Sequence, residues 1–225
     1  TDISERTMFL LGLTYFQLGQ LSESAAQFER LIAARQNSDY EVRSYYWLWR
    51  SSQSLDKQRA IDVGTTLFTK YPLTYYGLRA RFEIQGEDLR WLEKSGVNEQ
   101  SLSVQLTDFE YLAWEKAKWL LAAGWFEEAQ EELSILPPVY LSSSKLVMAK
   151  IWNSAFNHYK AISLLNEVWE LDPEFLNFST MQIGFPLEYK NSVEKYGELN
   201  GVEKEIIWAL IRQESSFQYR ALSSA

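Results

Sequence analysis

The sequence predicts an all-α protein built from consecutive helical hairpins, and three observations support this class. Apolar residues recur every three or four positions in segment after segment, as on one face of a helix; the first such set is Met8, Leu11, Tyr15 and Leu18. The 10 glycines and 5 prolines mostly separate these segments rather than interrupt them. No alternating run of β-branched residues is long enough to indicate a sheet.

Six helices are predicted in the first hundred residues, separated mainly by turn residues and proline. Gly19 is suited to follow the first helix, because glycine readily adopts the left-handed conformation in which many helices end. Pro72 prevents the fourth helix from continuing, since proline lacks the backbone N–H donor. The predicted helices span residues 4–18, 22–34, 40–55, 57–70, 75–84 and 88–94.

Helical periodicity resumes after residue 105 and predicts four long helices, at residues 106–123, 125–136, 141–156 and 158–171. A less regular stretch, 174–184, is predicted as a linker or a short helix. A new unit begins at Phe185-Pro186, with one helix over residues 187–199. Asn200 is a plausible N-cap for the last helix, and Glu203 would complete a capping box. We therefore predict two domains, residues 1–180 and 181–225.

The hairpin corners repeat a pattern in which an apolar residue stands two positions after a turn residue. The turn residues are Gly19, Gly124 and Asn157. Small residues follow each corner and would let the two helices approach closely; they are Ala25, Ala129 and Ala161. Gly124 and Asn157 are 33 positions apart. The pattern resembles tetratricopeptide repeats, whose unit is about 34 residues, and implies an α-solenoid of stacked hairpins with a curved surface.

Composition excludes several classes of function. The net charge of −8 argues against nonspecific nucleic-acid binding, because neutralising phosphates requires a basic surface. No stretch approaches the roughly 18 apolar residues of a membrane span. Aromatic residues make up 15% of the chain, and we expect most of them to pack between helices rather than to stack on sugars.

Cofactor and metal chemistry find little support in the sequence. The chain has no cysteine, which excludes disulfides and thiolate sites and fits a periplasmic protein. His158 is the single histidine, and a lone imidazole is more typical of a surface or capping residue than of a metal ligand. We therefore predict no metal and no cofactor.

One carboxylate near the end of the chain stands out. At 100° per residue, Glu214 shares a helix face with the apolar residues Ile207, Leu210 and Ile211. Burial and the negative end of the helix dipole would both favour its protonated form, which suits a general acid. The alternative is a half-exposed glutamate at a fraying helix end, bonded to Arg212 or Arg220.

Three stretches, in this order, resemble soluble lytic murein transglycosylases. YPLTYYGLRA at residues 71–80 is similar to a segment of their helical superstructure, and FPLEYKNSVEKYG at residues 185–197 to the entry of their goose-lysozyme-like domain. The run WALIRQESSFQYRALSSA is similar to the start of that domain. Its matching residues are Glu214, Ser215, Phe217, Ala221 and Ser223.

The resemblance implies an enzyme that cleaves the β-1,4 bond between N-acetylmuramic acid and N-acetylglucosamine without water. Glu214 would protonate the glycosidic oxygen and then act as base while the muramic 6-hydroxyl closes a 1,6-anhydro ring. Ser215 would support Glu214 or, as is commoner for serine, bond the backbone of the helix end. The implied partners are peptidoglycan glycan strands and other cell-wall proteins, and the implied location is the periplasm, although the chain starts at Thr1 without a visible signal peptide.

The same resemblance predicts that the chain is a fragment. In the family, a Gly-Ala-x-Gly-Leu-Met-Gln motif follows almost at once, whereas this sequence stops at Ala225. Residues 1–180 would then be the superhelical domain, and residues 181–225 an incomplete lysozyme-like α-domain, inactive by itself. The competing hypothesis is a tetratricopeptide-like scaffold that binds a protein partner in its groove, with Glu214 incidental.

Overall fold

The computed structural model of the chain describes residues 2–34, 39–86, 89–94 and 104–222. Within these ranges the regular structure is entirely helical, which confirms the predicted all-α class of helical hairpins. Short 3-10 helices occur at Leu89–Lys94 and Pro173–Phe175. The α-helices are α1 (Asp2–Gln17), α2 (Leu21–Ala34), α3 (Glu41–Ser52), α4 (Lys57–Lys70), α5 (Tyr75–Gln85), α6 (Asp108–Ala122), α7 (Phe126–Ile135), α8 (Ser142–Ser154), α9 (His158–Leu171), α10 (Phe178–Gly184), α11 (Lys190–Asn200) and α12 (Lys204–Ser215).

The chain divides into two compact units, Thr1–Leu89 and Arg90–Ala225. In the first unit, consecutive helices from α1 to α5 pack on one another. Phe28 of α2 is fully buried against Phe9 and Leu48. A side chain at Gly12 would meet the Phe28 ring at 2.7 Å, so the close approach of α1 to α2 requires glycine there.

The second unit contains α6 to α12. Trp152 of α8 is buried with Leu133 of α7 and with two small residues, Ala117 of α6 and Ala161 of α9. A further cluster joins the last two helices to α9, through Ile162, Val193, Trp208 and Phe217. The predicted boundary between residues 180 and 181 falls inside α10, within this unit.

Three hairpin corners have the same backbone geometry. The residue with positive φ is Gly19 (72°), Gly124 (79°) or Phe156 (57°), and the amide of the next residue bonds the carbonyl five positions back. Phe156, rather than the predicted Asn157, is therefore the equivalent of the two glycines. Asn157 instead caps α9 by accepting from the Lys160 amide. The small residues that follow in the same register are fully buried; they are Ser24, Ala129 and Ala161.

The prediction of a capping box at the start of the last helix is wrong. Asn200 is the final residue of α11, and its side-chain amide donates to the Tyr196 carbonyl. Gly201 ends α11 in the left-handed conformation, and Glu203 precedes α12 without a side-chain capping bond. In the described ranges, no helix has both the length and the apolar character that crossing a membrane would require.

Candidate functional site

Glu214 is exposed, so the expectation that it lies on a buried face is wrong. The inward face of α12 is centred on Trp208, with Ile207 and Ile211 half-buried beside it. Leu210, which shares the face of Glu214, is 58% exposed. The residues that the structure describes cover α12 on the side of Trp208, and the apolar stripe is wider than that cover. The outer edge of the stripe, with Glu214, is therefore exposed.

The residues after Glu214 end the helix. Ser215 Oγ donates to the Ile211 carbonyl at 3.0 Å, which is the local bond that serine commonly makes. Ser216 and Phe217 both have positive φ, at 46° and 63°. This turn places the Phe217 ring in the core, 4% exposed and 6.0 Å from the His158 ring. The Ser-Ser-Phe segment therefore has a structural explanation as a helix terminus that buries an aromatic anchor. Ser223 lies outside the described residues.

Beside α12 lies a pocket of about 410 Å³, which we call the Arg212 pocket. Its apolar wall includes Trp208 and Phe217, both nearly buried, and the more open Phe185 and Leu187. Glu214 is not part of its lining. The pocket is thus lined partly by α12, the helix that carries the predicted catalytic residue Glu214, but it opens on a different side of that helix.

Arg212 is the half-buried cation of this pocket. Its Nε donates to the Gly184 carbonyl at 2.8 Å, and its guanidinium carbon lies 4.2 Å above the centre of the Phe185 ring. Desolvation lowers the Arg212 pKa from its ordinary value. Neither Arg212 nor Arg220 bonds Glu214: Arg220 reaches Glu127 at 3.4 Å, and Arg212 has no carboxylate within ion-pair distance in the described part of the chain.

A second concavity, which we call the Lys160 groove, has a volume of about 300 Å³ and lies between α7, the α7–α8 loop and α9. Trp152 and Met148 form its buried floor, and Pro137 and Tyr159 stand on its walls. The Lys160 ammonium lies 3.8 Å from the centre of the Trp152 ring and 3.3 Å from Ser134 Oγ. Burial lowers the Lys160 pKa below its ordinary value.

His158 is a core residue, not the surface or capping residue that the sequence predicted, since the N-cap of α9 is Asn157. It is 6% exposed, with Nδ1 3.0 Å from Asn153 Oδ1 and Nε2 3.5 Å from a carboxylate oxygen of Glu188. Desolvation lowers its pKa, and the nearby Glu188 partly opposes that shift. No cluster of three or more His, Cys, Asp or Glu residues that could hold a metal ion occurs among the residues described.

Both cationic sites were missed by sequence reasoning. Arg212 and Lys160 lack a sequence motif, and their partners are distant in the chain, at Gly184 and Ser134. The sequence offered one weak signal for the site at Lys160. A Pro-Pro turn precedes α8, and a basic residue occupies the third position of the next helix, α9. The feature that matters is a half-buried cation with no ion-pair partner among the residues that the structure describes, and that feature depends on packing and not on sequence spacing.

Comparisons with known proteins return little. No protein-family model matches the chain, and no curated protein matches it. A solved structure of a thermophilic tetratricopeptide-repeat protein from Thermus thermophilus is 16% identical, with 92% of this chain and 97% of that chain covered and a TM-score of 0.32.

These findings correct the assignment to the lytic murein transglycosylases, which is wrong. Neither a family model nor a curated protein of that enzyme family matches the chain. The resemblance rested on short segments, and the one around Glu214 is accounted for by the helix-end contacts of Ser215 and Phe217. Catalysis by Glu214, glycan binding and a periplasmic location stay predictions.

Proposed function

We propose that the chain is a non-catalytic helical-repeat scaffold that binds a segment of a protein partner in the Lys160 groove. The observation that carries this proposal is the half-buried Lys160 ammonium over Trp152, with no carboxylate within ion-pair distance in the parts of the chain that the structure describes. Consecutive hairpins that leave a groove between their helices are the usual architecture of such scaffolds.

Charge favours an acidic partner segment. The chain contains 30 acidic and 22 basic residues, so most of its cations have acids to pair with. Two lysines of the same unit, Lys116 and Lys145, do so with Glu132 and Glu167. Lys160 instead bears the desolvation cost with no opposite charge close to it in the described ranges of the chain. A carboxylate supplied by a partner would offset that cost and form a charge-assisted hydrogen bond.

Apolar surface beside the groove favours a protein segment over a free ion. Tyr159, on the wall of the groove, is 53% exposed, and Tyr140 and Leu141, at the end of the α7–α8 loop, are 81% and 67% exposed. Exposed apolar patches of this kind often mark interaction surfaces, and aromatic side chains frequently dominate binding energy there. The proposed occupant is therefore an extended segment with an acidic side chain next to apolar ones.

A peptide array tests this function directly. An array of ten-residue peptides that combine acidic and apolar residues is probed with the full chain, and affinities of the bound peptides are measured by fluorescence polarisation. Lys160→Met keeps the apolar stem and removes the charge, and it should weaken binding about tenfold. The matched control is Lys118→Met on the exposed side of α6, where Lys118 pairs with Glu115; it should bind like the wild type.

Three results would reject the proposal. One is an array on which no peptide binds. Another is equal binding by the wild type and Lys160→Met. The third is that peptides whose acids are replaced by amides bind as well as their parents, because the ammonium would then play no part.

A further inference from the structure

We propose that the Arg212 pocket is a binding site for a small amphipathic carboxylic acid, with an aromatic or branched aliphatic body. This site is separate from the Lys160 groove and does not depend on the function proposed for that groove. Three features of the pocket carry the inference: the unused edge of the guanidinium, the apolar wall, and the balance of charge at the rim.

The guanidinium of Arg212 is held in place with one edge unused. Its Nε is fixed by the Gly184 carbonyl at 2.8 Å, and one of its faces is covered by the Phe185 ring at 4.2 Å. Nη1 and Nη2 make no hydrogen bond and no ion pair to the residues that the structure describes. These two nitrogens form the planar fork that binds a carboxylate through two parallel hydrogen bonds.

The position of Arg212 is preorganised by the fold around Gly184. A Cβ at Gly184 would lie 2.2 Å from the Trp169 ring, so glycine is required for α10 to end against that indole. The Gly184 carbonyl, at the end of α10, is thereby presented to α12. Because the arginine is held before any ligand arrives, little side-chain entropy remains to be lost on binding.

The remaining wall suits an apolar body. Trp208 is 8% exposed and its Nε1 already donates to the Glu188 carbonyl at 2.8 Å, so the indole offers the pocket no free donor. Phe217, Pro186 and Leu187 complete an apolar surface. The volume of about 410 Å³ lies within the range of small-molecule sites, roughly 300–1,000 Å³.

Charges at the rim also favour an anion. Lys190 and Lys204 line the pocket together with Arg212, against two acids, Glu194 and Glu205. Lys190 and Glu194 lie 4.0 Å apart, one turn apart on α11. The rim therefore carries an excess of one positive charge, in a chain whose net charge is −8.

The test uses 3-phenylpropionate and its neutral analogue 3-phenylpropanamide, titrated into the full chain and followed by ligand-observed NMR and calorimetry. We expect the acid to bind with a Kd on the order of 1 mM or tighter, and the amide at least tenfold more weakly. Failure of the acid to bind, or equal binding of the acid and the amide, would overturn the proposal without any mutation.

Variants locate the site. Arg212→Met retains a long apolar side chain over Phe185 and should reduce affinity for the acid at least tenfold, while Arg212→Lys should give a smaller loss because it keeps the charge without the fork. The matched control is Arg220→Met, at a 73% exposed arginine. Lys160→Met should also bind the acid as the wild type does, which separates this site from the peptide groove. Unchanged affinity in both Arg212 variants would overturn the assignment of the site.

A peptide arm distinguishes a small ligand from a protein partner. The blocked dipeptide acetyl-Glu-Phe-amide carries the same carboxylate and ring on a polypeptide backbone. We expect it to bind more weakly than 3-phenylpropionate. If it binds more tightly and that binding depends on Arg212, the pocket recognises an acidic protein segment, and the small-molecule proposal is wrong.

Discussion

Replacing Thr180 by valine should destabilise the second unit through the loss of buried hydrogen bonds and not through a loss of apolar packing. Thr180 is fully buried in α10. Its Oγ donates to the Phe175 carbonyl at 2.7 Å and accepts from the indole Nε1 of Trp169 at 3.2 Å and from the Asn177 amide at 3.3 Å. Valine has nearly the same shape, so Thr180→Val deletes these bonds with little change in packing.

The magnitude follows from the groups left without a partner. Each buried donor or acceptor that loses its bond costs about 1–3 kcal/mol, and the two longer bonds belong to the lower half of that range. We therefore expect Thr180→Val to lower the free energy of unfolding by at least about 3 kcal/mol. Thr180→Ser is the control, because it keeps the hydroxyl and loses one methyl group, at a cost of about 1 kcal/mol.

Urea denaturation followed by far-UV circular dichroism measures both changes, as shifts of the midpoint at constant slope. Hydrogen exchange of the Trp169 indole, followed by NMR, should accelerate in Thr180→Val and remain slow in Thr180→Ser. Equal destabilisation by the two variants, or a loss below about 1 kcal/mol in Thr180→Val, would show that the hydroxyl network contributes little.

Two further predictions concern ionisable groups. Burial lowers the pKa of His158 from 6.5, so on acidification the unfolded chain binds a proton at this residue before the folded chain does. The free energy of unfolding should therefore fall as the pH drops below about 6.5, by up to about 1.4 kcal/mol per pH unit. Urea titrations at several pH values from about 7.5 to about 5, which bracket the histidine range, measure this dependence in the wild type and in His158→Gln. The free energy of unfolding should change less with pH in the variant, and an equal change in both proteins would exclude His158 as the source. In the first unit, Glu41 is 3% exposed, and its carboxylate accepts a hydrogen bond from the Lys70 ammonium at 2.5 Å. Lys70→Met should cost about 1–2 kcal/mol, less than for a fully buried pair because Lys70 is 44% exposed. The control Lys57→Met, at an exposed lysine of the same unit, should change the midpoint little, and an equal effect of the two variants would contradict the reasoning.

Helix positions were predictable from local chemistry. The predicted segments 57–70 and 158–171 coincide with α4 and α9, because their ends are marked by residues that stop or cap helices within one turn. The prediction of a helix cap at Asn200 failed because two signals competed for one short connection. Gly201, in the left-handed conformation, ended α11 first and left Asn200 inside that helix.

Sites were less predictable than helices. The periodicity of α12 correctly identifies an apolar face, but it cannot tell how much of that face a neighbouring helix covers. The cover by α9 and α11 reaches Trp208 and stops short of Leu210 and Glu214. Glu214 lies at the uncovered edge of the apolar face and is exposed. The argument that burial would favour its protonated form therefore does not apply.

The sequence by itself determined the all-α class, most helix boundaries and the acidic charge balance, because periodicity, caps and composition act over a few residues. Only the tertiary structure decided that Phe156 occupies a left-handed corner and that His158 is buried. It also decided that Arg212 and Lys160 are partly removed from water with no carboxylate of the described residues within ion-pair distance. The desolvation and pairing of an ionisable side chain depend on which distant segments pack around it, and the spacing of residues along the chain does not predict those contacts.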